Sequence, residues 1–465
     1  FGACTSHAAG VKIKIRRIQI TIVVIGGDAA GMSTASRIAR KRKDAHVIVF
    51  EKTDIVSYGA CGLPYYIGGV NDDIELVKIR SAEEFRAGGV DLRLWHEVTS
   101  VDFDAKTVNV KDLKSGEEFV QSYDKLLIAT GSRPIVPPVE GRELQGVYVL
   151  KTIPEAEIIK AALLKDEAKR IAIIGGGFIG MEMAEAVTLR GRKALLFESM
   201  PHVMGGYDEL FQEALEDNLR KHGVELHLGE TVSRIEGEGG VARRIVTPLG
   251  SYDVDMVVFA IGVRPNTDMF TDPRLKKFKN GAIIVTDAME TDIPDVYAAG
   301  DCATLYNAVT GKLDYIALGT TANKQGRLAA DAMLGEEVHF NRAIGTSILR
   351  VMDLEMGKTG VSEREAKECG FDYGTATVQS ISHSPYYTCP PPYLLTAKIV
   401  YDKKTKVILG AQIMGEREAA MRINIFACAV DRKMTTEELG MLDMAYSPSV
   451  TYIWDIVHVV ANAAK

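Results

Sequence analysis

Cys61 lies in the run Ser57 to Tyr66, which is rich in hydroxyl-bearing, aromatic and glycine residues. A thiolate in such a loop can attack a disulfide or a persulfide and form a mixed disulfide. An internal disulfide would need a second cysteine, but Tyr66 occupies the position five residues on. The sulfur that pairs with Cys61 must therefore come from outside this run.

Two glycine loops are the second feature that can carry chemistry. The first glycine loop, Gly26–Gly31, and the second, Gly175–Gly180, each follow an apolar run, and an acid, Glu51 or Glu198, comes about 20 residues later. This pattern is typical of a turn that brings a dinucleotide pyrophosphate to a helix N-terminus. Asp28 replaces the middle glycine of the first loop, so either its side chain points away or the phosphates contact neighbouring amides. Two dinucleotides are predicted.

Glu198 bears on which nicotinamide cofactor binds the second loop. Its carboxylate would accept hydrogen bonds from ribose hydroxyls and repel a 2′-phosphate. No Lys or Arg follows between Ser199 and Asp208. NADH is therefore favoured, with NADPH still possible.

The elements that must position these residues repeat along the chain. Each glycine loop lies in a predicted strand–helix–strand unit with its own closing strand, which indicates two doubly wound α/β modules. After about residue 340 a hairpin and an amphipathic helix are predicted without a glycine-rich loop, which indicates an α+β interface domain. The predicted segments are Ile18–Ile25, a helix to about Lys43, His46–Phe50 and Tyr123–Gly131; Arg170–Ile174, a helix to about Arg190, Ala194–Phe197 and Asp255–Gly262; then Lys398–Tyr401, Val407–Met414 and Glu416–Val430.

A strand that ends in Gly300-Asp301 makes a flavin the favoured nucleotide of the first module. Gly300 allows close backbone approach, and Asp301 could accept a hydrogen bond from a ribityl hydroxyl. The alternative is that Asp301 caps a helix.

Composition excludes several classes of function. A net charge of −7 argues against a nucleic-acid partner. The sequence contains no run of 18 apolar residues, so no membrane span is expected. Six cysteines without CxxC or zinc spacing indicate a reducing cytoplasm and no metal site. We expect residues 1–18 to be an extension in which Cys4 has no role.

Five motifs together resemble the pyridine nucleotide-disulfide oxidoreductases, and the match runs from about residue 19 to the C-terminus. The motifs are Gly26–Ser33, Ser57–Tyr66, Ala129–Pro134, Tyr297–Asp301 and Thr320–Arg327. The chain resembles the single-cysteine branch, which includes coenzyme A disulfide reductase, persulfide reductase, and NADH oxidase and peroxidase. The resemblance to coenzyme A disulfide reductase is strongest. It implies a homodimer with FAD-binding segments 19–148 and 266–336, an NAD(P)H-binding domain 149–265 and a dimerisation domain 337–465.

The resemblance also assigns site residues. Those expected to bind FAD are Gly26, Ala30, Gly31, Glu51, Lys52, Thr130, Gly131, Asp301 and Asn323. Those expected to bind NAD(P)H are Gly175, Gly177, Gly180, Glu198 and Gly262. Those expected to bind coenzyme A are Ser33, Arg37, Arg40, Ser57, Arg80 and Trp454. The arginines suit its phosphates, although a charged helix face is more often simply solvated.

Three observations guide the choice within the branch. Oxidases and peroxidases of the family carry a His in the first glycine loop, where this chain has Ala29. Tyr386 and Tyr446 resemble a pair that reaches the active sulfur across the dimer interface, although an interface Tyr often only packs. We expect the glycine-led helical segment after Cys61 to lower its pKa. The implied activity is reduction of coenzyme A disulfide through a Cys61 mixed disulfide; persulfide or polysulfide reduction is the next alternative, then NADH oxidation or a redox sensor.

Overall fold

The computed structural model describes residues 20–340 and 343–465. The predicted extension, residues 1–18 with Cys4, lies outside the described residues. Three five-stranded sheets organise the chain, and smaller sheets accompany them.

The first large sheet carries the first glycine loop. Its five parallel strands follow the order Val296–Ala298, Lys125–Ile128, Thr21–Ile25, His46–Glu51 and Asp91–Leu94. Ile22, Val24 and Leu126 are fully buried, as expected for a parallel sheet with both faces covered. The associated helices are Ala29–Lys41, Ala82–Ala87 and Gly319–Met333, and a small antiparallel sheet contains His96–Asp102, Thr107–Asp112 and Glu118–Ser122. The helix Leu63–Gly68 packs instead against helices of the second module. The two-residue strands Leu305–Tyr306 and Leu313–Asp314 pair with each other and lie between the strand Val296–Ala298 and the helix Gly319–Met333 in the sequence.

The second large sheet repeats this plan around the second glycine loop. Its parallel strands follow the order Glu225–Leu228, Lys193–Glu198, Arg170–Ile174, Met256–Phe259 and Val147–Val149. The associated helices are Ile153–Leu163, Phe178–Leu189 and Glu209–Lys221, and a small antiparallel sheet contains Arg234–Glu238, Val241–Val246 and Ser251–Asp253. Strands Ser132–Pro134 and Val263–Pro265 pair where the chain passes between the modules. The two predicted doubly wound modules are confirmed.

The third large sheet is antiparallel and forms the C-terminal domain. Its strands follow the order Ser347–Val351, Leu354–Gly360, Ile408–Gly415, Leu394–Asp402 and Tyr373–Ile381, and its helices are Glu363–Cys369, Ile423–Asp431, Thr436–Gly440 and Ile456–Asn462. The predicted hairpin is confirmed by pairing of its two strands. The helix predicted from Glu416 is wrong at its start, because Glu418 has a φ of +64° that an α-helix cannot accommodate.

No helix in the described part of the chain is both long enough and apolar enough to cross a membrane.

Candidate active site

A cavity of about 2180 Å³ runs past both glycine loops and contains Cys61. It therefore offers one continuous space in which two dinucleotides and a thiol could meet. The predicted site residues that line it are Gly26, Ala30, Ser33, Arg40, Glu51, Lys52, Ser57, Cys61, Arg80, Thr130, Gly131, Gly175, Gly177, Glu198, Gly262, Asp301 and Asn323. Gly31, Gly180, Arg37, Tyr386, Tyr446 and Trp454 are not among its lining residues.

The first glycine loop has a shape that only glycines permit. Gly26 has a φ of +110°, and a Cβ there would lie 2.2 Å from the carbonyl oxygen of Ala129. A Cβ on Gly31 would lie 1.9 Å from the carbonyl oxygen of Gly26. Glu51 accepts a hydrogen bond of 2.8 Å from the Gly27 amide, so this carboxylate fixes the loop as well as facing the cavity.

The second glycine loop has the same construction. Gly175 has a φ of +115°, and a Cβ on Gly180 would lie 1.9 Å from its carbonyl oxygen. Glu198 accepts a hydrogen bond of 2.6 Å from Gly176. No atom lies within 4 Å of the place where a Cβ on Gly177 would stand. This open space at a helix N-terminus fits a pyrophosphate, because free amides and the helix dipole favour an anion there.

Asp301 follows the strand Val296–Ala298 and faces the cavity. It accepts hydrogen bonds from the Ser132 hydroxyl at 2.8 Å and from Lys151 Nζ at 3.0 Å. Among the described residues no helix begins at Asp301, since the next one starts at Gly319. The helix-cap alternative is therefore wrong, and Lys151 is a cavity residue that the sequence motifs did not reveal.

Cys61 lies in a short 3₁₀ turn, Ala60–Gly62, and its side chain is open to the interior of the cavity. The helix that follows, Leu63–Gly68, is only six residues long. The expectation that the thiol pKa is lowered is wrong as far as the groups of the protein itself are concerned. Burial by the cavity walls and the charge of Glu182 raise the pKa of Cys61. Lys151 offsets this only in part, and so short a helix provides little dipole.

Glu182 is the second cavity residue that sequence reasoning missed. It lies on the helix Phe178–Leu189, which packs against the Cys61-bearing segment. Among the described residues it makes no hydrogen bond or ion pair, and burial together with Glu185 raises its pKa to about 7. Only its place two residues after Gly180 could have drawn attention to it, because its nearness to Cys61 depends on packing between two domains.

The two candidate tyrosines form one cluster on the C-terminal domain. The hydroxyl groups of Tyr386 and Tyr446 are hydrogen-bonded to each other, and Ser384 Oγ lies 3.2 Å from the Tyr446 hydroxyl. Hydrogen bonds with Ser384 and Tyr446 lower the pKa of Tyr386. Tyr386 is 70% exposed, so the pair is accessible to a second molecule.

The candidate coenzyme A residues separate into two groups. Ser33, Arg40, Ser57 and Arg80 face the cavity. Arg37 instead forms a two-pronged ion pair with Asp331, with distances of 2.6 and 2.7 Å. Trp454 is half exposed on the C-terminal domain and packs edge-on against His458. Arg37 is thus already engaged by the protein.

Comparison with protein families gives two matches that cover most of the chain. The model described as pyridine nucleotide-disulphide oxidoreductase matches residues 20–326, and the dimerisation domain of the same family matches residues 346–456. The chain belongs to this family. The predicted fold class and family resemblance are both confirmed, and the protein is an FAD- and NAD(P)H-dependent oxidoreductase.

Three relatives illustrate the range of activities within the family. The CoA-dependent NAD(P)H sulfur oxidoreductase of Pyrococcus abyssi is 34% identical over 97% of this chain and 100% of its own length. An NADH oxidase of Lactococcus lactis is 35% identical, covering 96% of this chain and 100% of its own. The crystal structure of reduced Bacillus anthracis CoADR-RHD has a TM-score of 0.92 at 31% identity, covering 96% of this chain and 80% of that one.

The first module fits FAD because Gly26, Gly27 and Asp301 line the same cavity, so a pyrophosphate could approach the glycine loop while Asp301 faces a ribityl hydroxyl. The second module fits NAD(P)H because Gly177 leaves open space before its helix.

Proposed function

We propose that this protein reduces coenzyme A disulfide with NAD(P)H through a mixed disulfide between Cys61 and coenzyme A. One observation carries the proposal: in the described part of the chain, Cys61 is the only cysteine that lines the cavity. Cys302 is buried and its thiol is hydrogen-bonded to the carbonyl of Ile128. The sulfur that pairs with Cys61 must then arrive on a small molecule.

The reaction has two sulfur steps. The Cys61 thiolate attacks one sulfur of the coenzyme A disulfide, the S–S bond breaks, and one coenzyme A thiolate leaves and takes a proton. Bound FAD supplies the transfer of two electrons from NAD(P)H to the resulting mixed disulfide. That bond then breaks, Cys61 returns as a thiolate, and a second coenzyme A thiol is released.

The residues around the cavity have distinct parts in this scheme. Gly26, Ala30, Gly31, Glu51, Lys52, Thr130, Gly131, Asp301 and Asn323 hold FAD, and Gly175, Gly177, Gly180, Glu198 and Gly262 hold NAD(P)H. Asn323 is supported by Ser33, whose hydroxyl donates to its Oδ1 at 2.7 Å. Lys151, paired with Asp301, places one positive charge on the side where Cys61 must be a thiolate.

Coenzyme A is bound by groups at the mouth of the cavity. Arg40 and Arg80 supply guanidinium groups for its phosphates, while Ser33 and Ser57 supply hydroxyls. Arg37 contributes indirectly, because its ion pair with Asp331 fixes the helix that carries Ser33 and Arg40. Tyr386, Tyr446 and Trp454 complete the site from the second subunit of a homodimer.

Glu198 supports NADH as the preferred reductant. Its two oxygens accept hydrogen bonds from the Gly176 and Met200 amides at 2.6 and 2.8 Å. A carboxylate held there repels a 2′-phosphate, and the following segment supplies no Lys or Arg before Asp208.

Persulfide or polysulfide reduction is the second candidate, favoured by a 35% identical relative from Pyrococcus horikoshii that is named NAD(P)H coenzyme A polysulfide/persulfide reductase. It would use the same thiol and the same bound coenzyme A. Oxygen reduction is disfavoured because Ala29 provides no acid or base beside Cys61.

The test is anaerobic oxidation of NADH and NADPH with coenzyme A disulfide or polysulfide as acceptor, and a separate assay with oxygen. We expect coenzyme A disulfide and NADH to give the fastest turnover, and Cys61→Ser to abolish it. Cys369→Ser is the matched control, since Cys369 ends a helix of the C-terminal domain away from the cavity. Full disulfide turnover by Cys61→Ser would overturn the mechanism. Faster turnover with polysulfide than with coenzyme A disulfide would show that polysulfide is the better substrate.

A further inference from the structure

The first glycine loop carries a carboxylate where the second has no side chain. Asp28 and Gly177 each immediately precede a helix and have similar backbone angles, with φ of −110° and −86°. A side chain at the Gly177 position would enter open space. Asp28 lines the cavity at the corresponding place, together with Gly26, Gly27 and Ala30. It therefore stands where the FAD pyrophosphate must approach the helix.

The surroundings of Asp28 do not favour a negative charge. Its Oδ1 accepts a hydrogen bond of 3.3 Å from the Tyr58 amide, and within residues 20–340 and 343–465 it takes part in no ion pair. Burial raises the pKa of Asp28 to about 6, although Tyr58, Lys151 and Ala29 act in the opposite direction. Without FAD the carboxyl group is thus still mostly ionised near neutral pH, but it takes up a proton more readily than an exposed aspartate.

The groups that face Asp28 add little positive charge. Lys151 precedes the helix Ile153–Leu163 and is already paired with Asp301 at 3.0 Å. Glu51, on the neighbouring strand, also raises the pKa of Asp28. Tyr58 is neutral, because burial raises its pKa, and Asp28, Glu51, Glu155 and Asp301 all raise it further. A pyrophosphate adds negative charge to a site that already holds four carboxyl groups.

A neighbouring anion raises the pKa of a carboxylic acid further. The protonated acid differs from the carboxylate in having an O–H group that can donate a hydrogen bond. A phosphate oxygen is a strong acceptor for such a donor. Protonation would therefore replace repulsion between two anions with a hydrogen bond.

We propose that Asp28 is an FAD ligand that binds as the neutral carboxylic acid, donates a hydrogen bond to the pyrophosphate, and couples FAD binding to uptake of one proton. One proton passes from solvent to the Asp28 carboxylate, and no covalent bond changes. The inference depends on FAD binding and not on which sulfur compound the enzyme reduces.

The test is equilibrium release of FAD from the diluted holoenzyme, followed by flavin fluorescence from about pH 5.5 to 8.5. Single-proton linkage predicts that the FAD dissociation constant of the wild type rises by up to about tenfold per pH unit. Asp28→Asn keeps an N–H donor and should bind FAD tightly without this dependence. Asp28→Val should bind more weakly, also without it.

Glu182→Gln is the matched control, because Glu182 also titrates in this cavity but lies on the helix that follows the second glycine loop. It should keep the wild-type dependence. Calorimetry of FAD binding to the wild type, in buffers of different ionisation enthalpy, measures proton uptake without any variant. An uptake near one proton supports the proposal. No uptake, or a wild-type slope retained in Asp28→Asn, would overturn it.

Discussion

At the scale of single residues, Cys61 is the proposed nucleophile, and its protein surroundings oppose its ionisation. Burial and Glu182 raise the pKa of its thiol, and Lys151 lowers it. Since Glu182 has a pKa of about 7, its opposing charge develops as the pH rises through neutrality. Reactivity of the thiol should therefore increase with pH more gradually than for an isolated cysteine.

Glu182→Gln removes this charge and should lower the pKa of Cys61. The profile of Cys61 alkylation rate by iodoacetamide against pH should then shift to lower pH, by about one pH unit at most. The measurement is the alkylation rate against pH, with Cys61→Ser to subtract reaction at other cysteines. A profile that stays in place or moves to higher pH would contradict the role given to Glu182.

At the scale of elements, the glycine loops were foreseeable and the packing between domains was not. The turns are predictable from four glycines, because each allows a close backbone approach that a Cβ would block: Gly26, Gly31, Gly175 and Gly180. Strands such as Arg170–Ile174 follow from unbroken apolar runs. Glu182 and Lys151 meet Cys61 only through tertiary packing, so no local pattern could indicate them. The late start of the Ile423–Asp431 helix likewise depends on a left-handed residue, Glu418.

Gly180→Ala and Gly177→Ala separate folding from binding within one loop. A Cβ at Gly180 would overlap the Gly175 carbonyl, so we expect the free energy of unfolding to fall by about 1–3 kcal/mol. A Cβ at Gly177 meets no atom within 4 Å, so stability should hold while NADH binding weakens. Denaturant unfolding and NADH titration measure the two effects. Equal stability loss in both variants would contradict this reading of the loop.

At the scale of the whole molecule, the C-terminal domain carries an apolar surface that a single chain leaves exposed. Among the described residues, seven of its large apolar or aromatic side chains are at least half exposed: Tyr386, Leu394, Met421, Met441, Val450, Ile453 and Trp454. The matched dimerisation domain explains such a surface. Tyr386 and Tyr446 lie outside the Cys61 cavity of their own chain, which agrees with the proposal that they act on the second subunit's site.

Tyr446→Phe should slow coenzyme A disulfide turnover without slowing flavin reduction by NADH, because we propose that the hydroxyl hydrogen-bonds to or protonates the departing sulfur. Stopped-flow spectroscopy separates the two half-reactions. Tyr401→Phe, a tyrosine buried in the same domain whose hydroxyl donates to the Lys465 carbonyl, is the control. Slowed flavin reduction in Tyr446→Phe would contradict a role for this tyrosine that is limited to the disulfide half-reaction.

Heterodimers test whether the site is shared between subunits. A dimer of one Cys61→Ser chain and one Tyr446→Phe chain should retain one intact site if the sites are built in trans. If each site lay within one chain, neither would be intact, and turnover would fall to the level of the variants alone.

Coenzyme A is the proposed sulfur partner of Cys61. The most direct test of this proposal is intact-protein and peptide mass spectrometry after anaerobic treatment of the holoenzyme with coenzyme A disulfide. We expect one coenzyme A per chain, attached at Cys61, and its complete loss on addition of one equivalent of NADH with release of free coenzyme A thiol. An unmodified Cys61, or an adduct that NADH leaves in place, would contradict it.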